Sequence, residues 1–303
     1  MLLPLTGPRA ALGASMRQAA SLAQPTALDL EILDTGGDPV QAARVATRAV
    51  AGGAGTILGP LTTGETIAVL DEIDGAVPVV TFSNNQALAG GGAFVFGITP
   101  EQSVETMFDH AVGRGLRDIA VVVAPGALGE ASLAAAADIA GRTGVDLVES
   151  VTHEPGRAGL AGRVFAGTRQ VDAVLIAAGG EALRSFARDI RAASDVPLLG
   201  TVQWSRGSLA DEPALRGGAF AAPDPASLAG FAARYEAANG ATPGVVAALA
   251  HDAVAMAAAG GTTPATILRR SGYAGAVGDF RFRSDRTMIR DLAVLTVGAD
   301  GAA

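Results

Sequence analysis

Thr62, Thr63, Ser83, Asn84 and Asn85 close two short apolar runs, Ile57-Leu-Gly-Pro60-Leu and Val77-Pro-Val-Val-Thr-Phe82. Hydroxyls and amides of this kind hold a ligand by hydrogen bonds; they do not break bonds on their own. Placed at the carboxyl ends of neighbouring parallel strands, they would face a small solute together with backbone N–H groups. The same residues can cap the helix that follows. The two roles are compatible, because a capped helix N-terminus still attracts an anion. Gln203 and Trp204 follow Leu198-Leu-Gly-Thr201 at a further strand end. Trp204, the one tryptophan of the chain, either lines a cleft or packs against a neighbouring helix.

Catalytic alternatives are thin. The chain has no cysteine, and all 22 basic residues are arginine. Thiolate nucleophiles, Cys-based metal sites, Schiff-base lysines and a Walker lysine are therefore excluded. His110, His153 and His251 share no metal-ligand spacing, and a Gly-x-Ser-x-Gly elbow is absent. Gly53-Ala-Gly55-Thr-Ile-Leu-Gly59 has glycines near dinucleotide spacing but follows a helix and precedes a strand, so it reads as a helix terminator. A binding protein without cofactor or metal is expected.

The elements that must position these residues alternate. Short apolar runs are predicted as strands at 2–5, 28–33, 56–58, 77–82, 94–98, 119–123, 146–152, 173–177 and 197–199. Helical patterns lie between them, one of them opened by Asp38-Pro39 as cap and first turn. Such alternation calls for mainly parallel sheets with helices on both faces. So many strands strain one open sheet, and two lobes are expected. Residues 221–259 read as a helical tail, and Phe280-Arg-Phe282 as part of a hairpin. At 303 residues and 49% hydrophobic the chain is globular, and its net charge of −8 disfavours nucleic acid and anionic membrane surfaces. No apolar run is long enough to span a membrane. The chain opens inside an apparent strand, so a leader or lipoprotein signal is expected to precede it.

The chain resembles the type I periplasmic solute-binding proteins, in the leucine/isoleucine/valine-binding branch. The residues that carry the likeness are Pro4-Leu-Thr-Gly7 with Gly13, Gly59-Pro-Leu-Thr-Thr-Gly64, Val77-Pro-Val-Val with Ser83, the Phe231/Tyr235 helix, Ala250-His-Asp-Ala253, and Gly275 with Gly278-Asp-Phe-Arg-Phe282. The resemblance implies the two-lobed α/β type I fold, joined by three crossings and closing by a hinge around ligand. Lobe one would be about 1–117 plus 224–275, and lobe two about 118–223 plus 276–303. The resemblance also implies a periplasmic, non-enzymatic protein that feeds a small polar, amino-acid-like ligand to an ABC permease. In that family the segments matching Thr62-Thr63 and Ser83–Asn85 hold the ligand's carboxylate and ammonium. Leu12 and Leu128 stand where relatives often offer an aromatic wall, and Glu181 is a candidate acidic partner for an ammonium. An alternative within the same resemblance is a penicillin-binding protein activator, which regulates a peptidoglycan synthase through protein contacts.

Overall fold

The structure is a computed structural model that describes residues 1–26, 28–205, 209 and 211–298. In chain order the elements are β1 (Leu2–Leu3), α1 (Ala10–Ala23), β2 (Leu33–Asp34), α2 (Pro39–Ala51), β3 (Ile57–Leu58), α3 (Thr63–Ile73), β4 (Val79–Thr81), β5 (Phe94–Val95) and α4 (Pro100–Gly113). There follow β6 (Asp118–Val123), α5 (Ala127–Thr143), β7 (Asp146–Thr152), α6 (Leu160–Val164), β8 (Ala173–Ala177), α7 (Gly180–Arg191), β9 (Leu198–Gly200) and β10 (Ala219–Ala222). The chain ends with α8 (Pro225–Asn239), α9 (Val245–Ala258), α10 (Pro264–Ile267), β11 (Phe280–Phe282), β12 (Met288–Arg290) and β13 (Ala293–Thr296).

Two compact units emerge, Met1–Thr99 with Pro223–Asp291, and Pro100–Ala222 with Leu292–Ala303. These boundaries differ from the expected 1–117 plus 224–275 and 118–223 plus 276–303. Two elements account for the difference. Helix α4 shares a buried cluster with α5 and the β6 residues Ile119, Val121 and Val123, which draws it into the second unit. The β11–β12 hairpin sets Phe280 and Phe282 edge-on against Phe96 and Phe94, at 5.0 and 5.3 Å between centroids, which holds it in the first.

In the first unit β1 pairs with β2, and β3, β4 and β5 pair in order, all parallel. Gly59, just past β3, brings the two sets together: a Cβ there would lie 2.3 Å from the Leu2 carbonyl. The two sets are separate hydrogen-bonded ladders laid side by side as 2-1 and 3-4-5, and the order reverses between β1 and β3, the kind of switch point where open α/β sheets form a crevice. Helix α2 begins as its sequence dictates. The Asp38 side chain accepts from the Gln41 N–H at 2.8 Å, Pro39 takes the first turn, and Gly52-Gly53 end the helix.

In the second unit the order is β7-β6-β8-β9-β10, with β13 added antiparallel at the edge of β10. Alternate residues of β6 serve opposite cores: Ala120 and Val122 pack with α6 and α7, while Ile119, Val121 and Val123 pack with α4 and α5. Cover on both faces explains why the central strands β6 and β8 are apolar almost throughout.

Several expected elements shorten or change. Of the strand expected at 28–33, only Leu33–Asp34 pairs with a neighbour. The helical tail expected from 221 starts later, because Ala219–Ala222 is inserted between β9 and β13 as β10. No β-branched residue marks this strand; its two neighbours impose the conformation.

Two glycines of one helix give a test of the packing. A Cβ on Gly129, in the first turn of α5, would lie 2.1 Å from the Ala124 carbonyl, whereas nothing lies within 4 Å of one on Gly141. Gly129→Ala is expected to cost about 1–3 kcal/mol, and Gly141→Ala to stabilise by about 0.5–1 kcal/mol. Thermal unfolding of the two variants should therefore move in opposite directions; equal shifts would contradict the close approach of α5 to the end of β6.

Candidate functional site

Three loops meet the switch point of the first unit. The loop after β1 is tied to the loop after β2 by Asp34. Its carboxylate accepts from the Leu5 N–H at 2.8 Å, the Thr6 N–H at 3.1 Å, the Thr6 hydroxyl at 2.7 Å and the Gly36 N–H at 2.8 Å. Partial desolvation opposes the charge of Asp34. The bonds from Thr6, Gly36 and Leu5 outweigh it and hold the carboxyl below its ordinary range. Gly7 adopts a positive φ of 75°, and a Cβ there would meet the Gly36 carbonyl at 2.5 Å, so the two loops touch backbone to backbone.

The third loop follows β3 and opens α3. Thr62 is the N-cap. Its hydroxyl accepts from the Glu65 N–H at 3.3 Å, while the Glu65 carboxylate receives the Thr62 N–H at 3.0 Å and the Thr62 hydroxyl at 2.7 Å. Glu65 is fully buried, and its other oxygen accepts from the Thr35 hydroxyl at 2.5 Å. Below this cap Thr66 and Thr81 are also fully buried, 2.7 Å apart; Thr66 donates to the Thr62 carbonyl and Thr81 to the Pro60 carbonyl. The hydroxyl groups of this inner layer are all partnered, so Thr66 and Thr81 support the site rather than form its surface.

Thr63 and Ser83 differ from that layer. Their hydroxyl oxygens lie 3.0 Å apart, and Ser83 also accepts the Asn85 N–H at 3.2 Å. The pair carries two O–H protons and uses one between them, whichever group donates. One proton is left for an external acceptor, beside the first N–H groups of α3, which have no acceptor within their helix. Donors converging at a helix N-terminus suit a carboxylate. A Cβ on Gly97 would lie 2.4 Å from the Ser83 carbonyl, so the chain after β5 packs directly under this corner.

The remaining expected residues fall out differently. Asn85 spends its side-chain oxygen on the Ala87 N–H at 3.1 Å, capping a short turn, while Asn84 is exposed. Leu12 and Leu128 are half-buried in the first turns of α1 and α5. Gln203 is half-buried on the turn after β9, its carbonyl close against Gly179. Trp204 is a core residue and not a cleft wall: it is fully buried, stacks on Phe220 at 5.8 Å and donates its indole N–H to the Ile176 carbonyl at 3.0 Å. A Cβ on Gly200 would lie 2.3 Å from that indole, which is why the ring can fold back onto its own strand. Glu181 is exposed on α7, 3.7 Å from Arg188.

Two of the histidines have structural partners. His153 is buried with Nε2 2.7 Å from the Arg157 carbonyl, and His251 Nδ1 lies 3.1 Å from Asp252. Among the described residues no cluster of three or more His, Asp or Glu could hold a metal, and no helix is long and apolar enough to cross a membrane. A cavity of about 270 Å³ opens at the other, amino ends of β1 and β3, lined by Leu2, Leu33, Ile57 and Thr262 among others, away from the hydroxyl cluster.

A family model described as periplasmic binding protein matches residues 1–302. A search of curated proteins returns no match. Among solved structures, a Rhodospirillum rubrum protein described as a candidate branched-chain amino acid ABC transporter superposes with a TM-score of 0.85 at 23% identity, covering 99% of this chain and 96% of that one. A substrate-binding protein of Streptococcus pneumoniae in complex with isoleucine gives 0.69 at 18% identity, covering 99% and 95%. A solute-binding protein of R. palustris in complex with benzoate gives 0.70 at 18%, covering 100% and 93%. These likenesses speak for the fold.

The Asp34 cage has a pH signature. Its folded pKa lies below the unfolded value of about 4, so its contribution to stability is complete above that value and is lost as pH falls through the folded pKa. Asp34→Asn is expected to be less stable than the parent at about pH 6, with the gap narrowing toward about pH 3 in urea unfolding. A gap independent of pH would mean that the carboxylate charge contributes nothing there.

Proposed function

This chain belongs to the periplasmic binding protein family, and we propose that it is an extracytoplasmic binding protein for a small carboxylate-bearing solute, delivered to an ABC permease. The observation that carries the reading is the Thr63–Ser83 hydroxyl pair at the N-terminus of α3, with one proton uncommitted. A carboxylate accepts that proton and the first N–H groups of α3 together. Hydrogen bonds to a charged group contribute about 1.5–3 kcal/mol each. The ligands of similar proteins, isoleucine and benzoate, both carry a carboxylate, which supports assigning this corner to that group.

The alternative partner is a peptidoglycan synthase, in a protein that signals through its surface. It draws support from Leu12 and Leu128, aliphatic side chains where relatives often offer aromatic walls. The two readings part on one measurement: a synthase recovered with the full chain from envelope extract, in the absence of any solute that binds it, would favour the second.

A thermal-shift screen against amino acids and small organic acids tests the first. A solute at about a hundred times its dissociation constant should stabilise the fold by roughly 2.7 kcal/mol. With a solute in hand, Ser83→Ala and Thr63→Ala are each expected to weaken binding at least about tenfold by calorimetry. Unchanged affinity in both variants would remove the carboxylate corner from the site.

A further inference from the structure

Among the described residues, Asp74-Gly75 after α3 and Asn239-Gly240 at the end of α8 share a chemistry that needs no partner molecule. In each, the backbone nitrogen of the glycine can attack the side-chain carbonyl carbon of the residue before it and close a five-membered imide. Glycine hinders that attack least, because it has no Cβ. Both pairs stand at the C-terminus of a helix, and both glycines adopt positive φ, 72° and 68°. They differ in how the reacting groups are held.

At Asn239-Gly240 both groups are engaged. The Gly240 N–H donates to the Glu236 carbonyl at 2.8 Å, and the Asn239 side-chain amide donates to the Tyr235 carbonyl at 3.0 Å. Tyr235 is itself buried and donates its hydroxyl to Gln18 at 2.7 Å, which anchors this end of α8. Both bonds must break before the ring can close.

At Asp74-Gly75 no hydrogen bond or ion pair among the described residues engages the Asp74 carboxylate or the Gly75 N–H. Residues 74–76 are exposed, and nothing lies within 4 Å of a Cβ on Gly75. The turn is held by the Asp74 N–H to the Leu70 carbonyl at 3.1 Å and the Ala76 N–H to the Ile73 carbonyl at 2.9 Å. Asp74 is also strained. It sits in the left-handed region, at φ 43° and ψ 48°, which is unfavourable for a residue with a Cβ. An imide ring fixes ψ outside that region, so ring closure releases the strain.

We propose that Asp74-Gly75 is a site of spontaneous isomerisation to isoaspartate in the folded protein, and that the fold protects Asn239-Gly240 from the parallel deamidation. The Gly75 nitrogen attacks Cγ of the Asp74 carboxyl in its protonated form. The N–Cγ bond forms, and one water leaves, made of the carboxyl hydroxyl and the amide proton. Water then opens the ring at either carbonyl. Opening at Cγ restores aspartate. Opening at the main-chain carbonyl carbon leaves the chain running through Cβ and Cγ, with the link between α3 and β4 one carbon longer. No oxidant or cofactor is required, and the net composition is unchanged.

The test is prolonged incubation of the full chain at neutral pH, folded and in urea, followed by peptide mapping with fragmentation that distinguishes isoaspartate from aspartate. Isoaspartate is expected to accumulate at position 74 of the folded chain. The ratio of product at 74 to product at 239 is expected to be at least about tenfold higher in the folded chain than in urea, because two bonded groups hold back the reaction at 239. Asp74→Gly, which suits the left-handed position, should abolish the product at 74 and leave that at 239 unchanged. Absence of isoaspartate at 74 in the folded chain, or the same product ratio in both states, would overturn the proposal. So would persistence of the signal in Asp74→Gly, which would assign it to another residue.

Discussion

Glu65 places its carboxyl group in a fully buried position, and the switch point of the first unit is arranged around satisfying it. One oxygen takes the Thr35 hydroxyl from the loop after β2; the other takes the N–H and hydroxyl of Thr62 from the loop after β3. Strand β1 lies between those two loops in the sheet, so a single carboxylate spans the switch point. Its removal would leave buried donors unmet, at a cost of about 1–3 kcal/mol for each such group. What the arrangement fixes is the entry of α3, and with it the direction in which Thr63 presents its hydroxyl to Ser83. The proposed binding corner thus rests on an inner layer of partnered polar groups, and the outer pair, Thr63 and Ser83, keeps one hydroxyl proton uncommitted.

A second constraint is close backbone approach at the strand ends. A Cβ on Gly13 would lie 2.1 Å from the Pro4 carbonyl, and one on Gly129 would lie 2.1 Å from the Ala124 carbonyl. Each glycine sits in the helix that follows the first strand of its unit, and each lets that helix seat against the strand's own end. The two units repeat the same strand order and the same device. Short loops and exposed helix N-termini follow from it, since a helix packed this closely leaves little chain to cover its first N–H groups.

The amino-acid sequence makes some of this legible and hides the rest for identifiable reasons. Runs rich in valine and isoleucine, such as Asp118–Val123 and Ala173–Ala177, announce strands because they are buried on both faces. Asp38-Pro39 announces a helix start because the cap is local. The hydroxyl cluster is legible for the same reason: it lies within a few residues of strand ends. By contrast β10 reads Ala-Phe-Ala-Ala and owes its conformation to pairing with β9 and β13. The role of Trp204 does not follow from its neighbours in the chain, since the same turn would serve a cleft wall or a core ring. An unpartnered buried atom such as Glu101 Oε2 gives no signal in the chain, because lacking a partner is a fact of three dimensions and the helical pattern around it looks ordinary.

The two units differ in what they offer at their strand ends. The first presents donors: an uncommitted hydroxyl proton and the opening N–H groups of a helix, with the buried carboxylate nearby, Glu65, already consumed by the fold. The second presents unfilled acceptors, a carboxylate oxygen and a hydroxyl, in a chain whose net charge is −8. In the first unit the polar groups left open by the fold are the more selective feature, since a half-buried aliphatic side chain such as Leu12 discriminates by little beyond size.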